Sequence, residues 1–110
     1  AFAGKMHALL CRAWKSKVKG RDWYDFIWFI TKKTPVSLVH LEQRLIQTKH
    51  WDSSKPFKEI DLIQMLKQRI SQLDIEKAKE DVRVFLKDPD STEVWSKSFF
   101  LDLVEHLSFI

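Results

Sequence analysis

A group of basic and acidic side chains with regular spacing lies in the first quarter of the 110-residue chain. Lys5 and Arg12 are seven residues apart, almost two turns of an α-helix, so both should point the same way about 10 Å apart along the axis. Asp22 and Asp25 are three residues apart and should share one face of a second helix. If the two helices are antiparallel, Lys5, Arg12 and Arg21 come near both carboxylates. The spacing therefore predicts a polar site, which by itself does not identify an enzyme.

The chemistry of such a site follows from the uneven distribution of charge. Residues 1–33 contain eight Lys or Arg against two Asp, a net charge of +6, whereas residues 34–110 contain eleven against thirteen, a net charge of −2. A basic region of this kind suits phosphate-bearing ligands such as a nucleoside triphosphate or RNA. A solvated helix face followed by a basic turn, Lys15 to Gly20, would have the same charge.

Each of these residues also has an ordinary structural explanation. Asp22 could be the N-cap of the second helix, with Asp25 at the third helical position, because carboxylates are favoured in a first turn. Arg12 and Arg21 could simply form ion pairs with Asp25 and Asp22, and such pairs are common without any function. A lysine such as Lys5 on a helix surface usually faces solvent.

The elements that must position these side chains are predicted to be helices. Apolar residues recur at intervals of three and four, no run shows the alternation of a strand, and the 110 residues include only two glycines. The second helix is apolar nearly all round and should be buried. The prediction is an all-α fold, a compact helical bundle of five to seven helices. The helices are predicted at about Phe2 to Lys15, Trp23 to Thr31, Thr34 (N-cap) to Gln47, Lys58 to Ser71, Asp74 (N-cap) to Leu86 with Phe85 facing inward, and after Ser96 (N-cap).

The chain is predicted to form a single helical domain, residues 1–110, with a possible sub-boundary at the polar loop 49–56. Trp51 in that loop is the aromatic residue that could lie exposed and stack on a ligand. No signal peptide and no apolar run of membrane length is present, which favours a cytoplasmic protein without a membrane partner.

Cysteine and histidine give little sign of a metal site. Cys11 is alone, so no disulfide can form within the chain. His7 and Cys11 are four residues apart and could share a metal, but nothing else in the sequence completes a tetrahedral site. No metal site is therefore predicted in this chain, and Cys11 is predicted to be a small core residue.

Two separated blocks resemble a known family. The pattern K-x-x-A-L-x-x-R at Lys5 to Arg12, a short basic connection and R-D-x-Y-D at Arg21 to Asp25 resemble the segment after the catalytic core of the AbiEii/AbiGii-type nucleotidyltransferase toxins, bacterial proteins of abortive infection and toxin–antitoxin systems. Asp74 to Pro89, D-I-E-K-A-K-E-D-V-R-V-F-L-K-D-P, resembles the helical C-terminal part of the same family. The family's catalytic core carries a Gly-Ser motif and a D-x-D motif on a strand, and neither is present here. The one D-x-D in the sequence, Asp88-Pro89-Asp90, spans a proline turn instead of a strand.

The resemblance implies the C-terminal portion of a longer enzyme that transfers a nucleotide from a nucleoside triphosphate to tRNA, another RNA or a protein. It implies that Lys5 contacts the triphosphate with help from Arg12 and Arg21, that Asp22 is an active-site carboxylate that either orients Lys5 or acts as a base, and that Asp25 supports it. Magnesium is expected for the full-length parent, with the N-terminal catalytic domain as a partner. The chain alone is predicted to be inactive.

The alternative is a non-catalytic helical module that binds RNA or a protein partner through the basic N-terminal face. This hypothesis needs no further domain. The two hypotheses can be distinguished from the gene sequence upstream of Ala1. Gly-Ser and D-x-D motifs on a predicted strand there would favour the nucleotidyltransferase hypothesis.

Overall fold

The structure, a computed structural model, describes residues 2–12 and 19–110. Within these ranges it contains six α-helices and one 3-10 helix, and the prediction of an all-α bundle is confirmed. The strand-like pairing in the described ranges is an isolated parallel bridge between Val36 and Phe109. The helices are α1 (Phe2–Cys11), α2 (Gly20–Thr31), α3 (Leu38–Gln47), α4 (Glu59–Gln72), α5 (Ile75–Arg83) and α6 (Lys97–Val104), with the 3-10 helix at Pro89–Thr92.

Two helices begin elsewhere than predicted. α2 begins at Gly20 rather than Trp23, so Gly20 belongs to the helix and not to the preceding turn. α3 begins at Leu38 and is capped by Ser37, whose hydroxyl accepts from the amide of His40. The predicted cap Thr34 is wrong because the chain beyond it bridges to the C-terminal segment before α3 starts. Residues 13–18, with the predicted end of the first helix at Lys15 and most of the basic turn, lie outside the described residues.

The caps of the last two α-helices are as predicted. The side chain of Asp74 accepts from the amide of Lys77 at the start of α5, and Ser96 accepts from the amide of Phe99 at the start of α6. α5 ends at Arg83 rather than Leu86. The residues after Arg83 are therefore not part of the helix and do not continue its apolar face.

The core is formed by one apolar face from each helix. On α2, Trp23, Phe26 and Ile30 are buried, whereas Trp28 is 49% and Tyr24 39% exposed. The prediction that α2 is buried all round is wrong, because the face of this helix that carries Tyr24 and Trp28 is exposed to solvent while the opposite face packs against α1 and α5. Other core side chains that are fully buried include Met6, Leu9, Leu41, Leu45, Leu62, Leu66, Ile70, Leu73 and Phe100.

Gly20 allows α2 and α5 to pack closely. A Cβ atom at Gly20 would lie 1.9 Å from the carbonyl oxygen of Ala78 on α5, far inside van der Waals contact. The N-terminus of α2 therefore rests directly on the backbone of α5. This contact places the acidic first turn of α2 beside residues of α5 that the sequence patterns did not connect with it.

No helix in the two described ranges has the length and apolar character needed to cross a bilayer.

Candidate functional site

Two ion pairs join α1 to α2. Nζ of Lys5 lies 3.2 Å from the carboxylate of Asp25, and Nε of Arg12 lies 2.8 Å from the carboxylate of Asp22. The lower-numbered residue of α1 pairs with the higher-numbered residue of α2, which shows that the helices are antiparallel. Lys5, Arg12, Asp22 and Asp25 are thus brought together as the sequence predicted, although the pairing differs from the Arg12–Asp25 and Arg21–Asp22 pairs considered above.

Arg69 on α4 fixes the end of α1 from which Arg12 extends. Its guanidinium donates from Nε to the carbonyl oxygen of Leu9 at 3.1 Å and from a terminal nitrogen to the carbonyl oxygen of Arg12. These oxygens belong to the end of α1, where carbonyl groups lose their partners within the helix. Burial lowers the pKa of Arg69, and the nearby Cys11 and Asp22 oppose that shift. Arg69 therefore positions Arg12, a role that no spacing in the sequence indicated.

α5 and the segment after it complete a pocket around the ion pairs. The pocket has a volume of about 290 Å³ and is lined by Lys5, Arg12, Lys19, Arg21, Asp22, Asp25, Asp81 and Phe85. Asp81 is buried on α5. The Phe85 ring lies under the guanidinium of Arg21, whose central carbon is 4.5 Å from the ring centroid. We name this set of eight residues the basic pocket.

Phe85 corrects a prediction and explains the place of Arg21. Its ring was predicted to point into the core, but it is 62% exposed because α5 ends at Arg83. A guanidinium above an aromatic ring is held by a cation–π attraction. Arg21 is therefore fixed at the rim by Phe85, while Asp22 pairs with Arg12 instead.

Asp22 is an ion-paired carboxylate whose surroundings nevertheless favour its neutral form. Burial raises the pKa of Asp22, and the charge of Asp25 raises it further, against the opposing effects of Arg12 and Lys5. Its side chain is only 14% exposed. A carboxylate with a raised pKa is a better proton acceptor once it is ionised than one at the ordinary value.

Asp22 is not the N-cap of α2. Lys19 occupies the cap position and makes no side-chain cap hydrogen bond, and Asp22 is the third helical residue. Its carboxylate still lies near the positive end of the helix dipole. The capping explanation for Asp22 is thus wrong, because α2 begins earlier than the periodic apolar residues suggested.

The carboxylates of the basic pocket are a poor match for magnesium. Asp22 and Asp25 each face a cation, and four basic side chains surround three carboxylates. Magnesium takes oxygen ligands in near-octahedral geometry, usually one or two carboxylates that are free of other cations together with several waters. The excess of cations suits an anion instead, and Lys5 and Arg12 are accessible to one, since their side chains are 54% and 44% exposed.

The structure also assembles a second polar cluster on the other side of α1. His7 and Cys11 meet His50, which follows α3, and their potential ligand atoms lie within 4.8 Å of one another. No spacing in the sequence indicated His50, because 43 and 39 residues separate it from His7 and Cys11. Burial lowers the pKa of His7, helped by the nearby His50 and Arg44, and burial raises the pKa of the Cys11 thiol.

Trp51 does not provide the open stacking surface that its polar surroundings suggested. Its ring is half-buried and meets the Phe57 ring edge to face with 5.0 Å between centroids. The indole nitrogen donates to the carbonyl oxygen of Lys55 at 3.0 Å. The ring and the indole nitrogen of Trp51 are therefore engaged by contacts within its own loop.

A comparison with protein-family models identifies the family of the chain. The model described as "Nucleotidyl transferase AbiEii toxin, Type IV TA system" matches residues 1–99, nine-tenths of the sequence. The chain belongs to the AbiEii toxin family. Its members are nucleotidyltransferase-type toxins of type IV toxin–antitoxin systems, which confirms the family that the two sequence blocks indicated.

The match to the AbiEii family includes α1, α2 and α5, and hence every residue of the basic pocket. A search of curated proteins and a search of solved structures found no match to the chain.

Proposed function

We propose that this AbiEii-family chain is the helical part of a nucleotidyltransferase and that the basic pocket receives the phosphates of a nucleoside triphosphate. The observation that supports the proposal most strongly is the two ion pairs between α1 and α2, whose cations could bind a phosphate instead of a carboxylate. Lys5 and Arg12, both accessible, are held on the same face of α1 by Asp25 and Asp22, respectively. Lys5, whose partner Asp25 is partly exposed, can turn to a phosphate oxygen with little loss, because exposed ion pairs contribute only about 0–1 kcal/mol. Arg12 leaves the largely buried Asp22 at a greater cost, which its own bonds to the phosphate must offset.

The four basic side chains would act on different parts of the ligand. Lys5 and Arg12 project from α1 towards the carboxylates of α2, while Arg21 is held at the rim over Phe85. An arginine can contact a phosphate through two parallel N–H donors, whereas a lysine offers a point charge. Lys5 is therefore the cation for one phosphate of the triphosphate, and Arg12 and Arg21 grip its neighbours.

Asp22 has a role that follows from its burial. When a phosphate takes Arg12, Asp22 loses the cation nearest to it, and its pKa should rise further. Asp22 then becomes the group best placed to accept the proton of an acceptor hydroxyl. Asp25 keeps Lys5 in position before the triphosphate arrives.

The acceptor is an RNA, with tRNA as the first candidate, or a protein. The basic surface of residues 1–33 would attract the RNA backbone, so RNA is the first acceptor to test. A protein antitoxin is the expected inhibitor, in keeping with the toxin–antitoxin family. Transfer would also require a Gly-Ser and D-x-D core of the kind that the family resemblance implies, acting together with the basic pocket.

Binding of a labelled nucleoside triphosphate to the 110-residue chain tests the first step. Lys5→Ala should weaken binding by roughly ten- to a hundredfold, the cost of one charge-assisted hydrogen bond. Lys67→Ala is the matched control, because Lys67 is similarly exposed (49% against 54% for Lys5) and forms a surface pair with Glu105 at 3.8 Å, away from the basic pocket. Equal affinity of the Lys5 and Lys67 variants would contradict the proposed site.

Transfer of label to RNA tests the second step. The protein translated from the complete reading frame should transfer nucleotide to a tRNA pool, and its Lys5→Ala variant should lose that activity. The 110-residue chain should bind the triphosphate without transferring it. If the chain binds RNA tightly, and triphosphate does not compete, the RNA-binding module is the correct function instead.

A further inference from the structure

The cluster formed by His7, Cys11 and His50 has the donor set of a transition-metal site. Each residue offers one ligand atom, a ring nitrogen or the thiol sulfur, and the three atoms lie within 4.8 Å of one another. In a tetrahedral zinc site, metal–nitrogen bonds of about 2.0–2.1 Å and a metal–sulfur bond of about 2.3 Å place the ligand atoms about 3.3–3.6 Å apart. Small side-chain rotations therefore bring the three atoms to coordination distance.

The backbone that carries these side chains is fixed by regular structure. His7 and Cys11 lie one turn apart on the same face of α1. His50 follows the end of α3, where Lys49 adopts a positive φ of 62°. The amide of His50 donates to the carbonyl of Leu45 at 2.8 Å, and the amide of Lys49 donates to that of Ile46 at 3.0 Å. These two bonds form a Schellman motif, which holds the backbone of His50 rigidly beside α1.

Thr48 links the two imidazole rings. Its hydroxyl oxygen lies 3.0 Å from Nε2 of His7 and 2.7 Å from Nδ1 of His50, and its hydroxyl donates to the carbonyl of Arg44 at 3.0 Å. Outer groups of this kind set the orientation and tautomer of histidine ligands in metal sites. The rings are thus oriented by protein contacts.

From this geometry we infer that His7, Cys11 and His50 bind a single zinc ion, with a water molecule as the fourth ligand. A thiolate and two imidazoles select a borderline-soft metal over magnesium or calcium, which prefer oxygen ligands. Three protein ligands and one open position are the arrangement of zinc sites that remain accessible to a small molecule. The site joins α1 to the end of α3, away from the basic pocket, and does not depend on the proposed transferase function.

Cobalt substitution provides the test, with the 110-residue chain freed of any purification tag. Cobalt(II) should bind with a stoichiometry of one, give the intense visible bands of a tetrahedral site and a thiolate-to-cobalt band in the near ultraviolet, and be displaced by zinc. Cys11→Ser should abolish the thiolate band. His50→Ala should weaken cobalt binding by at least the roughly 10–100-fold that is typical for loss of an outer-shell group.

Two histidines outside the cluster serve as controls. His40→Ala and His106→Ala change the same type of residue at exposed positions, and both variants should keep the wild-type spectrum and affinity. Circular dichroism identifies any variant that fails to fold, and His50→Ala is the decisive one because His50 is exposed. Absence of tetrahedral bands at one equivalent of cobalt, or equal weakening by His40→Ala and His50→Ala, would overturn the inference.

Discussion

The carboxylate of Asp22 lies 2.8 Å from Nε of Arg12, and yet its pKa is raised above the ordinary value. Two opposing effects act on the group, since Arg12 stabilises the ionised form and burial destabilises it. Burial is the larger effect, and the neighbouring Asp25 adds to it. The ion pair thus links α1 to α2, but it does not fully offset the cost of burying the ionised form of Asp22.

Asp22→Asn should therefore gain stability relative to the wild type as the pH rises. An unfolded aspartate has a pKa of about 3.9, and the folded chain holds the Asp22 proton more tightly. Ionisation then lowers the wild-type free energy of unfolding between about pH 4 and the raised pKa, above which the effect is constant. Asparagine cannot ionise and escapes this loss. Urea denaturation of both proteins from pH 3.5 to 7 measures the difference.

Asp25→Asn is the control for Asp22→Asn. It makes the same change on the same helix, but the Lys5–Asp25 pair is far more exposed. Its effect on the free energy of unfolding at pH 7 should be no more than about 1 kcal/mol. If Asp22→Asn instead loses stability relative to the wild type as the pH rises, Arg12 dominates over burial and the stated direction of the pKa shift is incorrect.

Gly20→Ala should destabilise the fold, although alanine is the better helix former. Its Cβ would lie 1.9 Å from the carbonyl oxygen of Ala78, so α2 and α5 would have to separate. Overpacking of this kind costs about 1–3 kcal/mol. Gly4→Ala is the matched control on α1, where the atoms nearest to the new Cβ would belong to the Arg44 guanidinium, at 3.6 Å. That variant should gain up to about 1 kcal/mol from helix propensity. Equal shifts of the two urea midpoints would contradict the close contact.

The sequence predicted the fold class because apolar periodicity and caps are local signals. Asp74 and Ser96 were identified as caps from their position before an apolar run, and both act as caps. The start of α2 was missed because its reason is not local. Gly20 is helical where α5 approaches closely, and nothing within a few residues of Gly20 indicates that neighbour.

Phe26→Ala and Phe85→Ala should differ greatly in stability. Phe26 is 1% exposed and packs edge to face on Trp23, with 5.9 Å between ring centroids. Its removal leaves a core cavity and should cost about 3–5 kcal/mol. Phe85 is 62% exposed and contacts Arg21, so its removal should cost no more than about 1 kcal/mol. Thermal and urea unfolding of the two variants compares these costs, and a large loss in Phe85→Ala would show that the ring supports the core after all.

Only some residues of the candidate site could be predicted from the sequence. Lys5, Arg12, Asp22 and Asp25 could be placed together because two adjacent helices and their spacing determine which faces meet. Asp81, Phe85 and Arg69 come from distant segments, and His50 reaches Cys11 only because α3 packs on α1. Spacing along one chain does not encode such contacts, which depend on the packing of the whole bundle.

If the basic pocket binds a triphosphate as proposed, Asp25→Asn should strengthen that binding several-fold. Asp25 occupies Nζ of Lys5 at 3.2 Å in the free protein, so the triphosphate must displace a carboxylate of like charge. Glu105→Gln is the control, because it removes one negative charge from the exposed pair with Lys67, away from the pocket. Titration of both variants with a labelled triphosphate at low and high salt compares the local and the overall effect of charge. Weaker binding by Asp25→Asn would mean that Asp25 must hold Lys5 in place for the phosphate, rather than compete with it.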